Sequence, residues 1–142
     1  MNQHYTLKQE LPDLDEWLNL RRLVGWHVYE RTSAQAGLSH SLFGVCAYAK
    51  DGTLVGMARV IGDGGTCYYI QDVIVHPDWQ GLGIGKAVLG SVMEYILSHA
   101  QKGSVVALMS AIGRESFYEK FGFHRRPNHK LGCGMSWIWE NE

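Results

Sequence analysis

The sequence predicts an α/β fold, an α+β mixed sheet in which an antiparallel meander is followed by a βαβ crossover, with helices on both faces. Three apolar runs separated by turn residues predict the meander, over 42–49, 53–62 and 66–75. A glycine-rich loop and a long helical repeat then lead to another apolar run, Val105–Met109. Because a helix joining two strands of one sheet normally makes them parallel, we expect this run beside 66–75.

The N-terminal part predicts one strand and one helix. Residues 4–8 are predicted as the first strand. Asp13, followed three residues later by an acidic residue, has the spacing of a capping box and predicts a helix over 14–24. Residues 26–31 are expected on a loop or a second short helix, and the small, polar stretch 33–41 is expected to be a mobile connection.

Turn signals and glycines bound the remaining elements. Asp51-Gly52 and Asp63-Gly64-Gly65 predict the two turns of the meander. The long helix is predicted from about residue 84 to residue 102. A short helix over 113–121 and a last strand over 135–139 complete the prediction.

Length and charge restrict the possible functions. A chain of 142 residues suits one domain, 1–142, with a sizeable core. The net charge of −1 lacks the basic footprint of a nucleic-acid-binding protein. The first residues carry no cationic, apolar signal, and no apolar run approaches the about 20 residues that span a bilayer. We therefore expect a cytoplasmic protein without a nucleic-acid or membrane partner.

The cysteines and histidines give no sign of a metal site. Cys46, Cys67 and Cys133 are an odd number without metal-ligand spacing, and each is expected to be a small, buried apolar side chain in a reducing compartment. The seven histidines include no H-x-x-x-H pair. No metal cofactor is therefore expected.

The stretch 72–86 carries the strongest functional signal. The β-branched run 73–75 followed by Pro77 predicts a buried strand that ends near residue 76. Alternate positions after it carry glycine: Gly81, Gly83 and Gly85. The helix that follows begins with unpaired N–H groups and a partial positive charge, which favour an anion and most often a phosphate.

Two common phosphate-binding motifs do not fit this loop. A Walker A loop needs Gly five residues before its final Gly-Lys and Ser or Thr after it, but Gln80 and Ala87 occupy those places. A dinucleotide fingerprint that begins at Gly83 needs Gly where Val88 stands. The residues alone indicate a pyrophosphate-like anion and leave its identity open, a nucleotide included.

Two blocks of sequence resemble one known family. Val-x-Val-His-Pro, followed by Gln80, Gly83 and Gly85, resembles the central motif of the GCN5-related N-acetyltransferase (GNAT) superfamily, which binds acetyl-CoA. Residues 116–123, Ser-Phe-Tyr-Glu-Lys-Phe-Gly-Phe, resemble the family's Phe-Tyr-Glu-Lys-x-Gly-Phe signature. The resemblance covers roughly the second half of the chain. It implies a GNAT-like fold and an acetyl-CoA-dependent acyltransferase that passes acetyl directly to a primary amine of a small molecule or peptide.

The resemblance also implies which residues bind the cosubstrate. Backbone N–H groups of the loop would hold the CoA pyrophosphate, and the preceding strand would pair with the pantetheine arm. A strand N–H near residue 75 would polarise the thioester carbonyl. The residues assigned in this way are Val73, Val75, Gln80, Gly81, Gly83, Gly85 and Lys86.

Tyr118 and Asp72 are the predicted catalytic residues. By resemblance, Tyr118 is the general acid that protonates the CoA thiolate; from the residues alone it is an aromatic core residue. Asp72 precedes an apolar run, where a carboxylate needs a partner. It is either a structural carboxylate or a group at the acceptor site that holds the amine or takes its proton. The run Gln71-Asp72-Val73 resembles a Glu-Asp-aromatic run of diamine acetyltransferases, from which Gln71 departs.

Trp26 and Tyr29 are the predicted acceptor-binding residues. In the family, the segment after the first helix often lines the acceptor site, and the alternative is that both rings pack in the core. Homodimers are frequent in the family, so a homodimer is possible. A non-catalytic acyl-CoA-binding sensor or partner module on the same fold is the alternative function, and it would keep the loop without needing Tyr118.

Overall fold

The structure is a computed structural model that describes residues 4–140. They form two compact units, one up to Ala107 and one from Leu108 onward. The single domain over residues 1–142 stays a prediction.

The first unit contains a five-stranded sheet with the strand order β1-β2-β3-β4-β5. β4 and β5 are parallel and every other neighbouring pair is antiparallel, which confirms the predicted mixed sheet, meander and crossover. The elements are β1 (Tyr5–Lys8), α1 (Leu14–Leu23), α2 (Arg31–Ser39), β2 (Phe43–Ala49), β3 (Leu54–Gly62), β4 (Cys67–Val75), a 3-10 turn (Pro77–Trp79), α3 (Ile84–His99) and β5 (Val105–Ala107).

The predicted cap of α1 is present in part. Asp13 Oδ2 accepts hydrogen bonds from the N–H groups of Asp15 at 3.1 Å and Glu16 at 3.2 Å. The Glu16 carboxylate accepts from the N–H of Leu54 at 3.3 Å instead of returning to the cap. This contact joins the first turn of α1 to the first residue of β3.

The prediction of a mobile connection over 33–41 is wrong, because α2 occupies most of that stretch. Ala34 and Leu38 lie four positions apart and are both buried against the core, so they form the apolar face of a helix. Gln35 and Ala36 between them are exposed, and the few large apolar residues in this stretch hide the helix face in the sequence.

Helices cover both faces of the sheet. Gly56 and Met57 are neighbours on β3 and therefore face opposite sides. A Cβ on Gly56 would lie 2.4 Å from Ile84 Cγ2, so glycine allows the first residue of α3 to pack closely on that side. On the other side lies a core cluster with α1 and α2, formed by Met57 with Trp17, Leu18, Leu20, Ala34, Leu38, Cys46, Leu54 and Ile74.

The three cysteines are free thiols but differ in exposure. Cys46 is buried, as predicted, whereas the expectation of burial is wrong for Cys67 and Cys133, which are exposed. Cys67 begins β4 on the solvent side of the strand's alternation, and Cys133 lies in a segment without regular structure. Burial raises the pKa of the Cys46 thiol to about 12, so it remains protonated at neutral pH.

The Cys46 thiol should make stability depend on alkaline pH. Since its ordinary pKa is 9.0 and its folded pKa is about 12, its contribution is complete below pH 9 and is lost as the pH rises towards 12. Between pH 8 and 10.5 the wild type should lose about 2 kcal/mol more unfolding free energy than Cys46→Ala. Urea unfolding of both proteins at the two pH values measures this difference. Equal losses would show that the thiol does not contribute.

The second unit contains the helix α4 (Glu115–Glu119), which is shorter than the predicted 113–121. Phe117 and Phe121 pack edge to face there, with ring centroids 5.6 Å apart. The predicted strand over 135–139 is wrong: these residues have no strand structure within 4–140. Because a strand needs a hydrogen-bonding neighbour, apolar alternation alone does not produce one. Their large side chains are exposed: Met135, Trp137, Ile138 and Trp139.

Candidate active site

The outer edge of β4 is open along its second half. β5 pairs only with the first residues of β4, and its last partner there is Tyr69. From residue 70 to 75, β4 has a strand neighbour on the β3 side only, within residues 4–140. The backbone of this stretch can therefore receive an added extended chain.

The direction of the N–H groups in this stretch follows from one hydrogen bond. The N–H of His76 donates to the Val55 carbonyl on β3 at 2.8 Å. Because successive residues of a strand direct their N–H and C=O groups to opposite sides, the backbone groups of Val75 point to the open edge. The Val75 carbonyl accepts from Gln80 Nε2 at 3.2 Å, which is consistent with this direction.

A bulge interrupts β4 just before these residues. Met57 is opposite Ile74 and Arg59 is opposite Gln71, so Asp72 and Val73 together face a single β3 residue. Asp72 has φ +60°, and it is the only residue other than glycine with a positive φ among residues 4–140. The bulge changes the alternation of β4 immediately before Val75.

The glycine loop forms the start of α3 as the sequence predicts. Gly81 has φ +79° and Gly83, the N-cap residue, has φ +85°, so both adopt the left-handed conformation that favours glycine. No side chain caps this helix start, and its first turn contains no acidic residue. Its first N–H groups are therefore available to an anion, with Gly85 in the first turn and Lys86 exposed beside it.

A shallow groove of about 560 Å³ also borders the helix start. Its lining residues come from β1 and α3: Leu7, Gln9, Gly83, Lys86, Ala87, Gly90, Ser91 and Glu94. The Glu94 carboxylate would repel a phosphate there. We therefore assign the anion to the N–H groups of the loop and not to the groove.

Asp72 is enclosed by two arginines. Its side chain is fully buried; Oδ1 accepts from Arg21 Nη1 and Oδ2 accepts from Arg59 Nε at 2.8 Å. The two arginine side chains are each 7% exposed. Both carboxylate oxygens are engaged within the protein, so the structure places an ion network where the sequence predicts a catalytic or acceptor-binding carboxylate.

Trp26 and Tyr29 lie against the same network. The Arg21 guanidinium carbon is 4.3 Å from the Tyr29 ring centroid and 5.4 Å from that of Trp26. Both rings are partly buried and pack against the core cluster. Both rings therefore pack with the core, and their role in binding an acceptor stays a prediction.

Tyr118 lies on α4 in the second unit. Its ring packs edge to face against Phe117, with centroids 5.1 Å apart. Burial raises the pKa of the Tyr118 phenol above its ordinary value of 10.0, and the charge of Arg114 opposes this rise more weakly. The phenol therefore carries its proton at neutral pH, as a general acid requires.

Sequence reasoning missed Arg21 and Arg59. A signal was present, because Arg59 and Asp72 each interrupt an apolar strand run, and the two runs are consecutive strands of the meander. Within residues 4–140, no three or more His, Cys, Asp or Glu side chains are grouped to hold a metal ion, and no helix is long and apolar enough to cross a membrane.

The chain is similar to acetyltransferases in sequence and in structure. An uncharacterised N-acetyltransferase, ycf52, of Porphyra purpurea is 33% identical over 117 residues, which cover 80% of this chain and 65% of that protein. Serotonin N-acetyltransferase 2, chloroplastic, of Oryza sativa is 37% identical over 91 residues, which cover 63% of this chain and 44% of that protein. This chain thus spans about two thirds or less of the length of these curated relatives.

A solved structure and a family model give the same result. A probable acetyltransferase from meticillin-resistant Staphylococcus aureus is 31% identical, with a TM-score of 0.84 over 94% of this chain and 100% of that one. The model of the Acetyltransferase (GNAT) family matches residues 11–123, which contain both sequence blocks. The chain belongs to the GNAT family of acetyltransferases.

Proposed function

We propose that the chain transfers an acetyl group from acetyl-CoA directly to a primary amine of a small molecule or peptide. One observation carries the proposal: an open strand edge with outward N–H groups leads into an uncapped helix start. The first feature suits the extended pantetheine arm and the second suits the pyrophosphate of one ligand.

The loop residues 80–86 hold the pyrophosphate in this proposal. Gly81 and Gly83 turn the backbone so that the N–H groups at the start of α3 face the anion. Lys86 adds a positive charge near the phosphates, although the helix dipole opposes a cation at that position. Gln80 keeps its bond to the Val75 carbonyl and so ties the loop to the strand.

Transfer then proceeds without a covalent enzyme intermediate. The neutral amine nitrogen attacks the thioester carbon, and the outward N–H of Val75 stabilises the carbonyl oxygen as negative charge develops there. The new C–N bond replaces the C–S bond, and the Tyr118 phenol gives its proton to the departing thiolate. The amine nitrogen releases one proton to solvent as the C–N bond forms, and the phenolate takes one proton back from solvent, so protons balance over the cycle. Much of the rate comes from holding the two substrates together.

Asp72 has a positioning role in this proposal rather than a role as base or amine anchor. Both of its oxygens accept hydrogen bonds from arginines, and the network of one acid and two guanidiniums has a formal charge of +1. Such a site does not attract the dication that a diamine acceptor presents. Trp26 and Tyr29 offer aromatic surface to the acceptor, and the rice relative is named for an aromatic amine.

Thiol release from acetyl-CoA tests the function. The panel should contain an arylalkylamine, a diamine, an amino sugar and a peptide with a free N-terminus, with mass spectrometry of the acetylated product. We expect release that depends on one amine class. Tight acetyl-CoA binding by calorimetry without release for any amine would favour the sensor module instead. Absence of binding would contradict the assignment of the loop. Light scattering of the same sample measures whether the chain forms the homodimer that is frequent in the family.

Gly83→Ala should weaken acetyl-CoA binding at least about 10-fold. A side chain at φ +85° costs about 1–2 kcal/mol, so the backbone at residue 83 should shift to a more favourable φ. That shift would move the loop N–H groups away from the positions that bind the anion. Gly103→Ala is the matched control, because Gly103 has φ +92° and is equally open to a Cβ but lies beyond the far end of α3. Both variants should lose similar thermal stability. Equal affinity for acetyl-CoA in the two variants, measured by calorimetry, would contradict the loop assignment.

A further inference from the structure

One buried carboxylate joins three elements of the first unit. Asp72 on β4 accepts hydrogen bonds from Arg21 of α1, 51 positions earlier, and from Arg59 of β3, 13 positions earlier. Arg59 Nη1 also donates to Ser41 Oγ at 3.0 Å, and its guanidinium carbon lies 5.0 Å from the Trp17 ring centroid. We call the three residues Arg21, Asp72 and Arg59 the charge network.

The charge network is attached to the bulge of β4. Asp72 is the bulge residue with φ +60°, a left-handed conformation that most residues with a side chain avoid and that Asp and Asn adopt more readily. Its carboxylate is held from two directions, by a helix and by the neighbouring strand, so its backbone cannot rotate without breaking a buried ion pair. The network therefore holds the backbone of the bulge in this conformation.

The bulge sets the orientation of the residues that follow it. Asp72 and Val73 together oppose one β3 residue, so Ile74 and Val75 continue the ladder shifted by one residue. If the bulge relaxed into a regular strand, the N–H of Val75 would turn from the open edge towards β3.

Arg21 links the same network to the segment after α1. Its Nε donates to the His27 carbonyl at 2.8 Å while its guanidinium carries the contacts to the Tyr29 and Trp26 rings. Arg21 is 6% exposed, so this link is shielded from solvent. One group of charges thus holds both the bulged strand and the aromatic segment.

We propose that the charge network is a positioning device for acetyl transfer. It holds the bulge so that the Val75 N–H faces the thioester oxygen, and it fixes the distance from that strand to the aromatic rings on the acceptor side. Arg21, Asp72 and Arg59 are positioning residues that do not touch the reacting atoms. This inference rests on the proposed function.

Asp72→Asn is the first test, since Asn keeps the size of the side chain and tolerates positive φ but lacks the negative charge. We expect kcat per folded molecule to fall about 10- to 100-fold, because misplacing a catalytic group by about 1 Å has an effect of this size. The Kd for acetyl-CoA should stay within about 3-fold, because the loop supplies the main anion contacts. Asp15→Asn is the matched control: it breaks the ion pair of Asp15 with Arg31, whose side chains are 70% and 64% exposed.

A second variant separates positioning from stability. Arg21→Met combined with Asp72→Gly and Arg59→Met removes all charges and lets position 72 adopt its φ without strain. If the charge network only stabilises the fold, the folded triple variant should have the wild-type kcat. A wild-type kcat in this variant would therefore overturn the proposal. Low kcat in the folded triple variant, with Asp15→Asn unchanged, would support it.

Amide NMR keeps this test independent of turnover. In Asp72→Asn, or in the triple variant if the first does not fold, the amide resonances of residues 73–75 should move. The Val75 N–H should exchange more slowly with solvent, because it would turn from the open edge towards β3. Unchanged shifts and exchange rates there would overturn the positioning inference, whether or not any amine is acetylated. If the wild type releases no thiol with any amine, the proposed function fails, and the amide data still decide whether the network holds the bulge.

Discussion

Tyr118→Phe is expected to lower kcat about 10²- to 10⁴-fold while the Kd for acetyl-CoA stays nearly unchanged. The substitution removes only the hydroxyl and keeps the ring that packs against Phe117. Without the phenol, the CoA sulfur must leave as a thiolate or take its proton from water. Stopped-flow thiol detection gives kcat, and calorimetry gives the affinity. Loss of affinity together with kcat would indicate a binding role for the hydroxyl instead.

Tyr95→Phe is the control for removal of a hydroxyl. Tyr95 is a partly exposed residue of α3 whose ring stacks between Phe43 and His99 at 4.5 and 4.3 Å, and these contacts do not need the hydroxyl. This variant should keep wild-type turnover. A similar loss of turnover in both variants would remove the evidence for Tyr118 as the general acid.

The pH profile adds a second criterion for Tyr118. Because burial raises the pKa of Tyr118 above 10.0, the acid form persists up to at least pH 10. The wild-type kcat should therefore rise or level off between pH 6 and 9.5 as the amine loses its proton, with no alkaline fall caused by the tyrosine. A fall beginning near pH 8 would indicate another acid.

Local signals were sufficient for most of the first unit. The strand before Pro77, the hairpin at Asp51-Gly52 and the helix after Gly83 each depend on residues within a few positions, and all three are present. The helix α2 was missed because only Ala34 and Leu38 mark its buried face. The strand over 135–139 was predicted from apolar residues alone, although strand formation depends on a distant partner.

In the candidate site, too, the features that depend on neighbouring residues could be predicted and those that depend on distant residues could not. The glycine loop depends on residues within a few positions of one another, so the spacing of its glycines predicts an anion site. The family resemblance predicts CoA as the ligand. The partners of Asp72 lie 51 and 13 positions away, and no local pattern specifies which arginine reaches it. Only the register between β3 and β4 and the packing of α1 bring the three side chains together.

Asp72→Ala is expected to lower the unfolding free energy by about 3–5 kcal/mol. Removing the carboxylate leaves the buried guanidiniums of Arg21 and Arg59, each 7% exposed, without a negatively charged partner. Alanine is also disfavoured at φ +60°. Urea unfolding at neutral pH measures the loss. Asp15→Ala is the control, and it should cost about 0–1 kcal/mol because its ion pair is exposed.

The triple variant with methionines at 21 and 59 and glycine at 72 should be more stable than Asp72→Ala, although it carries more substitutions. Breaking a buried ion pair leaves charge without a partner, whereas replacing the whole network by apolar groups removes the desolvation cost of all three charges. A triple variant less stable than Asp72→Ala would mean that the arginine contacts to Trp17, Tyr29 and Ser41 stabilise the fold more than the ion pairs do. If instead it is stable but slow, the charges serve the position of the bulged strand more than the stability of the sheet.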